Sequence, residues 1–247
     1  MKIAIPQIRP VKGDIETNLQ RHADFVRLAV GHGVSLMFFP ELSLTGYEPT
    51  LAHALATTKY DKRLEILQNL SNEHQIALGV GLPTRSDEGV RISMVIILPN
   101  GTRLLYSKQL LHPDELRYFV AGEQLVLLPY RNQFIAPAIC YESLVPTHAA
   151  TAAMAGTAIY FASVAKSVKG VEKAKAHYPI IAQTHKMMVL MANCVGTCDD
   201  FVAAGQSAVW NQQGELIGQL NATEEGILIL DTETDQVTQL NINLQNQ

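Results

Sequence analysis

Cysteine is scarce in this chain, with three in 247 residues, at positions 140, 194 and 198. An odd count without a regular spacing excludes a disulfide framework and points to a reducing compartment, so a cytoplasmic location is expected. Charge is also thin, at 17% of residues and a net −4, with no run of either sign. That excludes the basic surface that nucleic acid or an anionic membrane requires. The opening Met1-Lys-Ile-Ala-Ile-Pro-Gln7 lacks a signal-peptide layout, because its apolar run is short and passes straight into polar sequence. The most apolar stretch, Ala149 to Ala165, is short for a membrane span and is broken by Thr151, Gly156, Thr157 and Ser163. It reads as a buried helix, a turn at Gly156 and a buried strand. Two chemistries lack their motifs. Gly79-Val-Gly81 is missing the third glycine and the following helix of a phosphate loop, and no Gly-x-Ser-x-Gly elbow occurs. Cys194-Val-Gly-Thr-Cys198 has neither the spacing nor the second ligand pair of a metal or redox centre. His177 and His185 share one helical region and read as packing or surface residues.

What is present is apolar sequence in short runs, 47% hydrophobic overall, enough to bury the core of one large α/β unit spanning residues 1–247. No segment reads as a linker or a repeat. Strands are expected at 2–8, 35–39, 76–82, 92–98, 103–107, 134–139, 158–163, 189–193, 207–210 and 226–230. Pro99-Asn100-Gly101 closes a hairpin, and Asn211-Gln-Gln-Gly214 is a turn between the last two strands. Helices are expected at 14–30, 61–72, 147–155 and 172–187, with Pro179 kinking or dividing the last. Many strands are continuously apolar, as strands buried on both faces are. Mixed sheets covered by helices in layers follow.

Three strands each deliver a reactive group where the apolar run stops. Ser35-Leu-Met-Phe-Phe-Pro-Glu41 ends in a carboxylate, Arg103-Leu-Leu-Tyr-Ser-Lys108 in an ammonium, and Phe134-Ile-Ala-Pro-Ala-Ile-Cys140 in a thiol. Open α/β sheets place their sites at the carboxyl edge of their strands. Taken singly, a free cysteine is most often a core residue, and a strand-end Glu or Lys is most often solvated. Together they make a candidate hydrolytic site. Apolar flanks around Glu41 should raise its pKa toward the range of a general base. Backbone N–H groups in the turn at Cys140 should lower the thiol pKa and can bind an oxyanion. Lys108 would stand beside the thiol as a fixed positive charge. Glu115, seven residues after Lys108, could aim back at it, and Glu142, two after the thiol, could support it from behind.

The ordered set Pro40-Glu41-Leu-Ser-Leu-Thr-Gly-Tyr47, Tyr106-Ser-Lys108 and Ile139-Cys-Tyr-Glu142 resembles the nitrilase, or carbon–nitrogen hydrolase, superfamily. The opening Gly13-Asp14 with Asn18-Leu19, and the late Ala192-Asn193 and Gly205-Gln-Ser207, are similar too. The resemblance implies a four-layer α-β-β-α sandwich with two mixed sheets, usually a homodimer, and thiol chemistry without metal or cofactor. It makes Glu41 the general base, Lys108 the oxyanion stabiliser, Cys140 the nucleophile and Glu115 a second glutamate beside the lysine. Cys-Tyr-Glu is frequent in amidase branches, so a small-molecule amide is the expected substrate ahead of a nitrile. Tyr47, Tyr141, Glu142, Ser163 and Val164 are the expected substrate-contacting positions. Two departures stand out. Ala162-Ser-Val-Ala165 replaces an Asn-x-Ser stretch, and Ile181 and Thr184 replace an Arg and a Glu. Acyl transfer to an amine, or a non-catalytic binding protein that keeps the fold, are the alternatives.

Overall fold

The computed structural model describes residues 1–242, so the last five residues of the expected 1–247 unit lie outside the described residues. The chain begins with β1 (Lys2–Gln7), α1 (Ile15–Val30) and β2 (Val34–Phe38). After the short α2 (Ala52–Leu55) and α3 (Glu65–His74) come β3 (Ala77–Ser86), β4 (Gly89–Ile97) and β5 (Arg103–Ser107). The second half runs β6 (Leu128–Tyr130), β7 (Gln133–Ile139), α4 (Pro146–Met154), β8 (Thr157–Val164), α5 (Val168–His185) and β9 (Met188–Asn193). It closes with β10 (Val195–Cys198), β11 (Phe201–Ala204), β12 (Ala208–Trp210), β13 (Leu216–Gln219), β14 (Gly226–Asp231) and β15 (Gln236–Asn241).

One sheet has the order β15-β14-β1-β2-β3-β4-β5 and the other β13-β12-β9-β8-β7-β6. Each has a parallel centre, β1-β2-β3 in one and β7-β8-β9 in the other, with antiparallel strands at the edges. The period of two along each strand assigns side chains to layers. In β1, Ile3 and Ile5 pack between the sheets while Ala4 faces the α1/α3 layer. In β8, Ile159 and Phe161 pack between the sheets while Tyr160, Ala162 and Val164 face the α4/α5 layer. Helix, sheet, sheet, helix is therefore the layer order, and both inner strands need apolar residues at every position.

Three expectations are corrected. Helix α5 begins at Val168 and runs unbroken through Pro179 to His185. The turn at Asn211–Gly214 joins β12 to β13, a strand the sequence did not signal, rather than β12 to β14. Strands β10 and β11 pair as a separate hairpin, and β15 adds an exposed edge beside β14.

Candidate functional site

Strand direction brings the three reactive ends together. Strand β3 is parallel to β2, and the two antiparallel steps β3–β4 and β4–β5 cancel, so β5 ends at the same edge as β2. Glu41 follows β2 and Lys108 follows β5. From the facing sheet, Cys140 follows β7. The loop that carries Glu41 is seated on β3: Phe39 N donates to Gly79 O at 2.8 Å and Leu44 N to Gly81 O at 2.9 Å. A Cβ on Gly81 would stand 2.4 Å from Leu42 N and 2.7 Å from Pro40 O, so glycine is what permits this approach. Behind the loop, fully buried His22 places Nδ1 2.6 Å from Asn18 O and Nε2 2.9 Å from Ser43 Oγ. Nδ1 therefore carries the proton and the Ser43 hydroxyl donates to Nε2. Burial lowers the His22 pKa to about 3, so this brace is neutral.

Lys108 Nζ donates to Glu41 Oε1 at 2.8 Å and to Glu115 Oε1 at 2.7 Å, and all three side chains are 0–2% exposed. Glu115 also accepts from Tyr47 OH at 2.9 Å and from His112 N at 2.8 Å. An ammonium has three protons. Two are committed, which leaves one free to face the cavity. Among the described residues Glu41 Oε2 is buried without a hydrogen-bond partner. Breaking such a buried cluster by removing one partner costs about 3–5 kcal/mol.

Cys140 opens a short 3₁₀ turn directly after β7, with φ +50°. Positive φ is unusual for a residue with a Cβ, and such strain persists only where the surroundings over-determine it. Glu142 supplies that restraint. Its carboxylate accepts from Ile139 N at 2.6 Å, Gln109 N at 2.6 Å, Leu110 N at 3.2 Å and Tyr106 OH at 2.5 Å. It thus ties the segment after Lys108 to the turn that carries the thiol. Tyr106 is in turn 3.0 Å from His148 Nε2, whose Nδ1 is 2.7 Å from Tyr160 OH. Since Tyr106 donates to Glu142, His148 donates from Nε2 and accepts from Tyr160. Burial depresses the His148 pKa to about 4, so the chain of bonds stays neutral apart from its carboxylate.

The electrostatics correct one expectation. Burial, followed by the Glu41 charge, pushes the Cys140 thiol up to about 11, against the opposing pull of Lys166 and Lys108. The backbone N–H groups of the turn do not reverse this. Burial also raises the Glu41 pKa, with Lys108 opposing and Glu115 reinforcing. Burial disfavours the Lys108 ammonium, but Glu41, Cys140 and Glu115 outweigh it and hold its pKa above the ordinary value. The resting pair is a neutral thiol and a carboxylate made more basic than usual, so a thiolate has to be produced by proton transfer within the site.

Cys140, Lys108 and Glu115 line a cavity of ≈ 510 Å³, together with Tyr47, exposed Tyr141 and Phe201. Of the five expected substrate-contacting positions, Tyr47 and Tyr141 line this cavity. Glu142, Ser163 and Val164 do not. Glu142 lies behind the thiol, as described. Ser163 Oγ donates to Phe39 O at 2.7 Å, tying β8 to the end of β2, and Val164 faces the helix layer. The strand period sends both side chains away from the cavity, which opens only past the end of β8, at Ala165 and Lys166. Lys166 is the residue the sequence analysis missed: 4% exposed, it lines the cavity with Nζ 3.9 Å from Cys140 Sγ. A unit-charge pair at that distance is worth about 4 kcal/mol at an effective dielectric constant of 20. Its only sequence signal is a cation two residues beyond a strand end. Among the described residues no group of three His, Cys, Asp or Glu could hold a metal ion. No helix among them is long and apolar enough to cross a membrane.

The carbon-nitrogen hydrolase family profile matches residues 2–241. The chain is 27% identical to a glutamine-dependent NAD(+) synthetase of Thermotoga maritima over 96% of its own length, but spans only 42% of that protein. It is 24% identical to an (R)-stereoselective amidase of Pseudomonas sp over 91% of this chain and 82% of the other. The amidase of Nesterenkonia sp. AN1 superposes with a TM-score of 0.86 at 26% identity, covering 95% of this chain and 94% of that one. There an active-site cysteine carries the product of Michael addition of acrylamide. By fold, by strand-end geometry and by a match over nearly its whole length, the chain belongs to the carbon-nitrogen hydrolase family.

Proposed function

We propose that this protein is an amidase that hydrolyses the carbon–nitrogen bond of a small linear amide through a thioester on Cys140. The observation that carries the reading is the buried Glu41–Lys108–Glu115 cluster set beside the Cys140 sulfur at the floor of a cavity. The free Oε2 of Glu41 takes the thiol proton as the sulfur attacks the amide carbon. The carbonyl oxygen becomes an oxyanion held by the third Lys108 proton and by the backbone N–H of Tyr141. Collapse breaks the C–N bond, and Glu41 returns the proton to the departing ammonia. Glu41 then deprotonates a water that attacks the thioester. The C–S bond breaks, the acid leaves, and the proton goes back to sulfur. Glu115 holds Lys108 in place throughout.

The Nesterenkonia amidase in complex with butyramide supports a small aliphatic amide as the substrate class. The same reading carries a cytoplasmic homodimer, which light scattering on the purified protein tests. Exposure to a panel of small amides and nitriles, followed by intact mass and ammonia assay, tests the chemistry. An acyl adduct on Cys140 with stoichiometric ammonia is expected from an amide. Adducts without ammonia release, or ammonia release that survives loss of the thiol, would overturn the reading.

A further inference from the structure

Lys166 has no place in the cycle above, yet it is a buried cation within 4 Å of the sulfur and pulls on the Cys140 thiol more strongly than Lys108 does. It is 4% exposed, and among the described residues no carboxylate pairs with it; the hydrogen bond of its Nζ runs to the Cys140 sulfur, at 3.9 Å. A buried ammonium facing a neutral thiol is an uncompensated charge, which proteins seldom keep without a use. Its position is held rather than incidental. Lys166 N donates to Asn193 Oδ1 at 2.8 Å, Asn193 Nδ2 donates back to Lys166 O at 3.1 Å, and Ala204 N donates to the same carbonyl at 2.9 Å. On its other side Gly170 lies so close that a Cβ there would stand 3.1 Å from Lys166 Cβ.

A second feature points the same way. Helix α5 starts two residues later, at Val168, and runs for 18 residues. Its N-cap, Ser167, makes no side-chain capping hydrogen bond, and Ser167 and Gly170 both line the cavity. The first turn of a helix presents unsatisfied N–H groups and the positive end of the helix dipole. A buried ammonium and an uncapped helix start therefore flank one corner of the cavity, beside the nucleophile.

We propose that this corner is an anion subsite, and that the substrate is a short amide whose acyl part carries a carboxylate docked on Lys166 and the N-terminal turn of α5. The distance sets the length. With the sulfur 3.9 Å from Nζ, the carboxylate has to lie within a few bonds of the scissile carbonyl, as in the monoamides malonamate and succinamate. The inference deepens the amidase reading and rests on it for the identity of the reacting group.

Alkylation of Cys140 tests the subsite without requiring turnover. Iodoacetate and iodoacetamide differ in little but charge, and both place their carbonyl group one carbon from the new sulfur bond. The rate ratio of iodoacetate to iodoacetamide, read by intact mass at neutral pH, should fall at least tenfold in Lys166→Met. Lys166→Arg should keep the ratio within about threefold, which separates lost charge from lost fold. With turnover, wild-type kcat/KM should favour succinamate or malonamate over butyramide at least tenfold, and Lys166→Met should remove that preference mainly through KM. If both alkylation rates fall equally in Lys166→Met, the lysine only tunes the thiol and the subsite is overturned. If the alkylation ratio behaves as stated and no amide is hydrolysed, the subsite stands and the amidase reading fails.

Discussion

Two thiol environments meet at Ala165 in this protein. Cys194, directly before the β10–β11 hairpin, and Cys198, within it, are each 1% exposed, with their sulfurs 3.6 Å apart in a small apolar cluster with Ala165 and Ala203. Cys140 sits at the end of β7, half-buried, at the floor of a cavity. Neither environment makes an acidic thiol. Cys140 is pushed up to about 11 by burial and then by Glu41, and Cys194 is pushed up by its hydrogen bond with Cys198 and then by burial. What separates them is the company. Beside Cys140 stand a carboxylate with one unpartnered oxygen and the two ammonium groups of Lys108 and Lys166. The hairpin sulfurs face each other and alkyl groups. A nucleophile is made here by a proton acceptor and by access, not by a low resting pKa.

The largest expected effect removes the nucleophile from that comparison. Cys140→Ala should abolish amide turnover below detection while leaving the melting temperature close to wild type, since a small side chain at the cavity floor is replaced by a smaller one. Ammonia release in a coupled assay measures it. Turnover that persists would mean that the chemistry belongs to another group.

Removing the acceptor comes next. Glu41→Gln keeps the shape of the side chain and cannot take a proton, so kcat should fall by roughly two to four powers of ten. Binding of an unreactive amide should be retained. The pH profile carries the same signature. Burial raises the Glu41 pKa, and the reaction needs its carboxylate, so kcat/KM should rise with pH through a limb above the ordinary carboxylate value of 4.5. An acid limb that lies at or below that value, or that is unchanged in Glu41→Gln, would leave Glu41 a structural carboxylate.

The sandwich was legible because burial on both faces forces apolar residues at every strand position, and the ends of those runs are sharp. Glu41, Lys108 and Cys140 could be found because each terminates such a run. The edge strand β15 could not, because Gln236–Asn241 is mostly exposed and carries no apolar pattern. The hairpin β10–β11 is too short to show a period. The direction of the Cys140 shift was misread because it depends on burial and on Glu41, which arrives from the other sheet. Glu142 was given two places, behind the thiol and against the substrate, because a chain position two residues from the nucleophile does not say which way a 3₁₀ turn points. Lys166 was missed because the strand before it ends in residues that give no motif.

A smaller effect is expected where the comparison depends on support rather than chemistry. Glu142→Gln places an amide NH₂ where either backbone donors or Tyr106 now give to a carboxylate oxygen. A buried unsatisfied donor costs about 1–3 kcal/mol. The melting temperature should drop, and kcat should fall about tenfold with little change in KM, because Lys108 and Cys140 lose their common anchor while the cavity walls stay. A change in KM alone would put Glu142 back at the substrate.

The smallest effect should come from the hairpin. Cys194→Ala deletes one sulfur from an apolar cluster and touches none of the charged groups around Cys140, so kcat/KM should stay within about twofold and stability should fall by about 1 kcal/mol. The labelling pattern follows from the same geometry. Iodoacetamide at neutral pH should add a single group to the folded wild-type protein, at Cys140, and three groups after denaturation. Both hairpin sulfurs are shut off from solvent and lack a carboxylate to take a proton from them, so they have to wait for local opening. Folded Cys140→Ala should then take up no label on the same timescale. If it labels as fast as the wild type, the hairpin opens readily, and access no longer separates the two environments.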